Sequence, residues 1–143
     1  MKKKANEMIK NKIIEEKTTP YVSSLLVIPK KNNDIRMCVD FRRLNSQMFL
    51  DHRIATKNWR RVKKIWRNKI QFSSFDLTSG YWQIPLHEDS QKYTGFMCNG
   101  RTFVFKVMAF GDATAVGSFT RAMQSILGPE ILEFVTVYLD DSF

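Results

Sequence analysis

Apolar and polar residues change period several times along the chain, and each change predicts an element. Residues 2–17 are polar and permit a helix, with Met8, Ile9, Lys12 and Ile13 giving a weak apolar stripe before Thr18-Thr19-Pro20 ends it. Tyr21 to Ile28 is apolar or β-branched and reads as a strand. Pro29 and the run Lys30-Lys31-Asn32-Asn33-Asp34 supply turn chemistry, after which Ile35, Met37, Val39 and Phe41 alternate with Arg36, Cys38 and Asp40. That alternation predicts a second strand, and the two together an antiparallel hairpin with Lys30 and Lys31 at its tip.

Residues 52–69 hold eight Lys/Arg and no acid, and Trp59, Val62, Ile65 and Trp66 recur at helical spacing. The pattern predicts an amphipathic helix with a strongly basic outer face. Trp59 and Trp66 read as core anchors in it. Phe72 to Leu77 predicts a strand, and Gly80 breaks the pattern before Tyr81-Trp82-Gln83-Ile84-Pro85-Leu86. Thr94 to Cys98 and Thr102 to Met108 flank Asn99-Gly100, the dipeptide that suits a tight turn with positive φ at both central residues. A helix is expected over 114–127, stopped by Gly128-Pro129, and Val135 to Leu139 has the pattern of a buried strand running into Asp140-Asp141. There is no internal repeat and no low-complexity linker. The fold class is α+β with mainly antiparallel hairpins.

Composition narrows the class of protein. The chain has 143 residues, enough for one ordinary domain, and its 43% hydrophobic content can build a core. No apolar run approaches the length needed to span a bilayer, and no apolar region follows the basic start Met1-Lys2-Lys3-Lys4, so an intracellular, non-secreted chain with no membrane partner is expected. Two cysteines, Cys38 and Cys98, make neither a disulfide framework nor a four-ligand zinc site and are expected to be buried thiols. The 23 Lys+Arg against 14 Asp+Glu give a net charge of +9, for which nucleic acid is the commonest partner.

Two groups of acids stand apart from the turns and polar faces where acids usually lie. Asp76 ends Phe72-Ser73-Ser74-Phe75, and Asp140-Asp141 closes Val135 to Leu139. Carboxylates at the ends of apolar strands need a compensating cation or donor, and three brought together would suit a hard divalent ion such as Mg²⁺. Spacing alone leaves a plainer alternative open, in which Asp76 caps a turn and Asp140-Asp141 is a hairpin tip.

Four motifs in order settle that choice. Tyr138-Leu139-Asp140-Asp141 resembles the Tyr-x-Asp-Asp box of reverse transcriptases, and Phe75-Asp76-Leu77-Thr78-Ser79-Gly80-Tyr81-Trp82-Gln83-Ile84 resembles their preceding palm motif. Val27-Ile28-Pro29-Lys30-Lys31 with Arg36-Met37-Cys38-Val39-Asp40-Phe41-Arg42-Arg43-Leu44-Asn45 is similar to the fingers of the gypsy-like LTR retrotransposon branch. Phe105-Lys106-Val107-Met108 followed by Phe110-Gly111 resembles the approach to the long palm helix. The resemblance covers roughly residues 18–143 and implies a partial right-hand polymerase, fingers and palm without a thumb, from a Pol polyprotein. Residues 1–17 are then a basic, helical N-terminal segment.

The resemblance also implies roles. Asp76, Asp140 and Asp141 would be the catalytic carboxylates, holding two Mg²⁺ ions (or Mn²⁺) together with the backbone carbonyl of Leu77. Arg36 and either Lys30 or Lys31 would grip an incoming dNTP, Tyr81 would exclude a 2′-hydroxyl by bulk, and Phe110 would lie beside the nucleotide. Arg60, Arg61, Lys63 and Lys64 are candidates for contacting an RNA or DNA template-primer, although such a basic face is more often simply solvated. Taken singly, Arg36, Lys30 and Lys31 could be solvated cations and Tyr81 and Phe110 ordinary core aromatics.

The sequence departs from the family pattern in three places. Ile54-Ala55-Thr56 stands where a Pro-x-Pro segment is usual, and a more basic helix follows. Asp112, Thr114, Val116 and Thr120 replace an apolar residue, an amide, a proline and a glutamine, which fits a decayed copy. The chain stops two residues after Asp141, so the strand returning from the Asp-Asp hairpin is expected to be missing, along with thumb, connection and RNase H regions. Weak or absent polymerase activity of the isolated chain is expected, and the rest of a Pol polyprotein or a dimer partner could complete it. The alternatives are a catalytically silent nucleic-acid-binding remnant and an unstable fragment.

Overall fold

The N-terminal segment divides where its polarity changes. Lys2–Lys10 forms helix α1 and buries Ala5 and Met8, Lys12 takes a left-handed φ of 57°, and Ile14–Glu16 is strand β1. Ile13 and Ile14 are both buried, and Ile14 pairs antiparallel with Phe105. The expected single helix is therefore a helix followed by a strand. The computed structural model describes residues 2–29, 35–49, 63, 66, 67, 70–131, 135, 137, 138, 141 and 142, with the backbone alone for Arg36, Glu130, Ile131, Val137, Tyr138, Asp141 and Ser142.

The chain divides into two units, one formed by Met1–Phe49 with Tyr81–Ala113 and the other by Leu50–Gly80 with Thr114–Phe143. In the first, β1, β2 (Val22–Ser23), β6 (Gly95–Cys98) and β7 (Arg101–Phe105) form a sheet in the order β1-β7-β6-β2. The β6–β7 hairpin has Cys98 opposite Arg101, and Asn99 and Gly100 take φ of 51° and 74°, as the Asn-Gly turn predicts. Strands β3 (Leu25–Pro29) and β4 (Ile35–Val39) form the second predicted hairpin, with Leu25 opposite Val39 and Pro29 opposite Ile35.

The core of this unit is aromatic. Phe96 is fully buried, with Phe103 and Phe105 at 5.9 and 5.3 Å between ring centres, and Phe41 meets Phe105 edge-on at 6.3 Å. Ala5 and Met8 of α1 join the same cluster. Buried Thr94 lies between Glu88–Gln91 (helix α3, followed by a short 3₁₀ turn) and β7. Its hydroxyl donates to the Gln91 carbonyl at 2.7 Å and accepts from the Phe105 N–H at 2.8 Å, so burial leaves it satisfied. Cys98 is buried as expected, whereas Cys38 is only partly so.

In the second unit, β5 is Phe75–Asp76, shorter than the predicted 72–77. Helix α4, Ala115–Ile131, breaks at Gly128 (φ 73°, ψ 167°) before Pro129, where the sequence places its stop, and a helical turn then resumes. Of the predicted basic helix, only Lys63, Trp66 and Arg67 lie among the described residues. Trp66 is 40% exposed, its ring edge-on to Phe72 at 5.7 Å, which is not the buried anchor its spacing suggests. The expectations for Lys30, Lys31, Ile54 to Thr56, Trp59, Arg60, Arg61, Lys64, Leu139 and Asp140 fall outside the described residues.

Gly95 allows the parallel pairing of β2 with β6. A Cβ at this position would stand 2.2 Å from the Tyr21 carbonyl oxygen and 2.4 Å from Thr19 Cγ2, the first of which is backbone that cannot swing away. Gly95→Ala should destabilise the first unit by about 1–3 kcal/mol or more, read as a lower urea midpoint at unchanged m-value.

Candidate active site

The second unit contains a sheet of three two-residue strands. Val137–Tyr138 (β8) and Asp141–Ser142 (β9) pair antiparallel with Tyr138 opposite Asp141, and β9 pairs on its other side with β5. The strand expected to be missing has therefore begun: Asp141 and Ser142 already turn back and occupy the centre of the order β5-β9-β8. The register sets Asp76 directly opposite Asp141 and Phe75 opposite Ser142. Directly opposed positions of an antiparallel ladder stand about 4.5–5.5 Å apart at Cα. Two acids 65 positions apart in sequence thus meet at one rung of a ladder, and Asp140 is the sequence neighbour of one of them.

The chain leaves β5 through a tight turn. Ser79 takes φ 53°, the Gly80 N–H donates to the Leu77 carbonyl at 3.1 Å, and Gly80 is buried. A Cβ on Gly80 would stand 3.1 Å from the Phe119 ring, so glycine lets this turn lie against the buried Phe119 of α4. The Leu77 carbonyl retains one lone pair for another partner. Asp76 itself is exposed to solvent. Its carboxylate with those of the couplet would be an all-oxygen donor set, which fits a hard divalent cation and does not fit a soft one.

The aromatic candidates lie in the first unit. Tyr81 is half-buried and meets Phe110 edge-on, 5.2 Å between ring centres and 78° between planes, and Trp82 meets the same ring at 5.8 Å. Phe110 is 43% exposed, and the loop that follows it is held by Asn45. The Asn45 side chain donates to the Gly111 carbonyl at 2.9 Å and accepts from the Ala113 N–H at 3.0 Å, pairing with this loop as a strand would. Gly111 takes φ 93° there. Asn45 was visible in the fingers motif, but nothing in its spacing assigned it this role. Its clamp keeps the loop around Asp112 in shape although Asp112 and Thr114 depart from the family pattern.

Arg36 lies in β4 opposite Ile28, and Lys63 is exposed on a helical turn. A second pair missed from sequence is Asp40–Arg42. The Arg42 guanidinium donates to both carboxylate oxygens, Nε to Oδ1 at 2.9 Å and Nη2 to Oδ2 at 2.6 Å, and the Arg42 N–H donates to Oδ1 at 3.1 Å at the start of helix α2 (Arg42–Asn45). These bonds, side chain first, hold the Asp40 carboxyl down to about 2.

An α+β chain that opposes two acids across a short palm-like ladder and carries a long β-hairpin ahead of them has the fold of the right-hand polymerases. The sequence profile described as "Reverse transcriptase (RNA-dependent DNA polymerase)" matches residues 28–143, and the chain belongs to that family. It is 32% identical over 141 residues to the retrovirus-related Pol polyprotein from transposon gypsy of Drosophila melanogaster, covering 94% of this chain and 14% of that protein. It is 39% identical over 107 residues to the enzymatic polyprotein of Figwort mosaic virus (strain DxS), covering 74% of this chain and 16% of that one. The chain thus spans less than a fifth of the length of these relatives. The native protease-reverse transcriptase of prototype foamy virus superposes with a TM-score of 0.81 at 20% identity, over 96% of this chain and 18% of that structure. A foamy viral protease-reverse transcriptase solved with double-stranded DNA gives 0.79 at 24% identity, over 99% and 29%. Among the described residues no helix is long and apolar enough to cross a membrane.

The Asp40 pair has a defined acid limit. Because its carboxyl titrates lower in the folded chain, its stabilising contribution is complete above the unperturbed 3.8 and is lost as pH falls toward about 2. A carboxyl NMR titration should find Asp40 protonating near the bottom of that window, and Arg42→Gln should move it up toward 3.8.

Proposed function

We propose that the chain is the fingers-and-palm portion of an RNA-directed DNA polymerase, adding dNTPs to a primer 3′-hydroxyl on a nucleic-acid template. The observation that carries the reading is the register of Asp76 opposite Asp141, beside Asp140 in sequence. In this reading residues 18–143 are the partial polymerase region, with the acid ladder in the palm and the β3–β4 hairpin in the fingers, and residues 1–17 precede it.

Asp76, Asp140, Asp141 and the Leu77 carbonyl would hold two Mg²⁺ or Mn²⁺ ions. Bound there, such ions supply a lowered pKa at the primer hydroxyl and neutralise charge on the triphosphate. The chain's own residues do the positioning. Arg36 and Lys30 or Lys31 meet the triphosphate as cations, opposite to it in charge. Tyr81, braced by the Phe110 edge, presents a rigid ring to the sugar and crowds a 2′-hydroxyl, while Phe110 offers its exposed edge to the nucleotide. Arg60, Arg61, Lys63 and Lys64 track template or primer phosphates. The solved neighbours named with bound double-stranded DNA support a nucleic-acid partner.

Titration of a fluorescent dNTP into the chain with and without Mg²⁺ tests this. Binding should require the ion and should weaken at least about tenfold in Asp76→Asn, near 1.4 kcal/mol. Binding indifferent to Mg²⁺ and to Asp76→Asn contradicts the reading. If salt-sensitive RNA binding then falls on neutralising Arg60, Arg61, Lys63 and Lys64, the chain is instead a catalytically silent nucleic-acid-binding remnant.

A further inference from the structure

A cavity lies wholly in the first unit, among residues that the polymerase reading leaves unused. Buried Thr19 anchors the segment that lines it. Its hydroxyl donates to the Lys92 carbonyl at 2.7 Å and accepts from the Tyr21 N–H at 3.3 Å, while Val22 and Ser23 pair with Gly95 and Phe96. These bonds fix Pro20–Ser23 beside Lys92–Gly95, so the rings of Tyr21 and Tyr93 meet with centres 4.8 Å apart and planes at 53°. Both remain open, Tyr21 49% and Tyr93 37% exposed. Arg43 and Leu44 of α2 and Gln47 form the opposite wall of a cavity of about 590 Å³, within the usual range of roughly 300–1,000 Å³ for ligand sites.

The chemistry of the lining selects its ligand. No Asp or Glu lines the cavity, Arg43 has no carboxylate partner among the described residues, and the Lys92 ammonium lies 5.1 Å over the Tyr93 ring. An anion with a flat aromatic part suits a lining with one cation, no acid and two open rings. Gln47 and Ser23 each carry donor and acceptor groups, so either can meet the edge of any base. We propose that this cavity binds an unpaired nucleotide of a single-stranded nucleic acid, with the base stacked on the tyrosine pair and the phosphate held by Arg43. Proline-rich peptides also pack on exposed tyrosines. The basic rim and the net charge of +9 favour the polyanion. The inference extends the polymerase reading, yet it concerns single-strand binding away from Asp76.

Fluorescence anisotropy of the full chain with a labelled single-stranded oligonucleotide of roughly a dozen nucleotides tests it. Tyr93→Ala and Tyr21→Ala should each weaken binding about five- to a hundredfold, the range that stacking on one ring supplies. Tyr93→Phe should keep the affinity, since the ring is what stacks. Arg43→Gln should leave the melting temperature unchanged and flatten the salt dependence by about one phosphate contact. Wild-type affinity in Tyr21→Ala, Tyr93→Ala and Arg43→Gln would overturn the proposal, and so would competitive displacement of the oligonucleotide by a polyproline peptide. Because the readout needs neither dNTP nor divalent ion, it can fail while the polymerase reading stands, and the reverse.

Discussion

Two carboxylates set across one rung of a β-ladder repel each other, by about 1 kcal/mol at 4 Å in water and several-fold more as the local dielectric falls. The backbone register sets Asp76 opposite Asp141, and β5, β9 and β8 are only two residues long each. So short a sheet has little ladder energy of its own. Its packing must come from neighbours such as the Gly80 turn, which seats against buried Phe119 only because position 80 has no side chain. Under the proposed function, a divalent ion bound at this rung would turn carboxylate repulsion into a shared ligand set, which would link this register to nucleotidyl transfer.

The first unit solves a different problem, presenting rigid groups on a surface. Its aromatic core around Phe96 fixes the sheet, and single polar side chains then tie loops to it at defined points. Thr94 ties α3 to β7, Thr19 ties the strand entry to Lys92, and Asn45 ties the Phe110 loop to α2. Each is a short side chain bonded to backbone, so the loops gain order without extra core. Half-buried Tyr81 with exposed Phe110 on one loop pair, and exposed Tyr21 and Tyr93 on another, are the rings that this framework orients.

Much of this was legible in the sequence because it is local. The Asn99-Gly100 turn, the alternation from Ile35 to Val39, and the Gly128-Pro129 break each carry their own signal and fold as read. The couplet at Asp140-Asp141 and the lone Asp76 were legible as chemistry only through the ordered motifs, since register between distant strands has no local signature. What failed was also physical. Ile13 ends the apolar stripe that suggests a helix over 2–17, but the strand pairing of Ile14 with Phe105 decides otherwise. The sequence predicts no return strand after the couplet, yet Asp141 and Ser142 form one because both neighbours pair with them. Asn45, Asp40 and Arg42 acquire roles only through partners that composition does not reveal.

The account depends most on the register between β5 and β9, and a disulfide trap reads it directly. In a Cys38→Ser, Cys98→Ala background, Asp76→Cys with Asp141→Cys places two thiols on directly opposed positions, at a Cα separation within the roughly 4.4–6.8 Å that a disulfide spans. Mild oxidation should close that bridge rapidly and in full, while Asp76→Cys paired with Ser142→Cys should close slowly or not at all. Failure of the first pair, or preference for the second, would contradict the placement of the acids on which the functional reading stands.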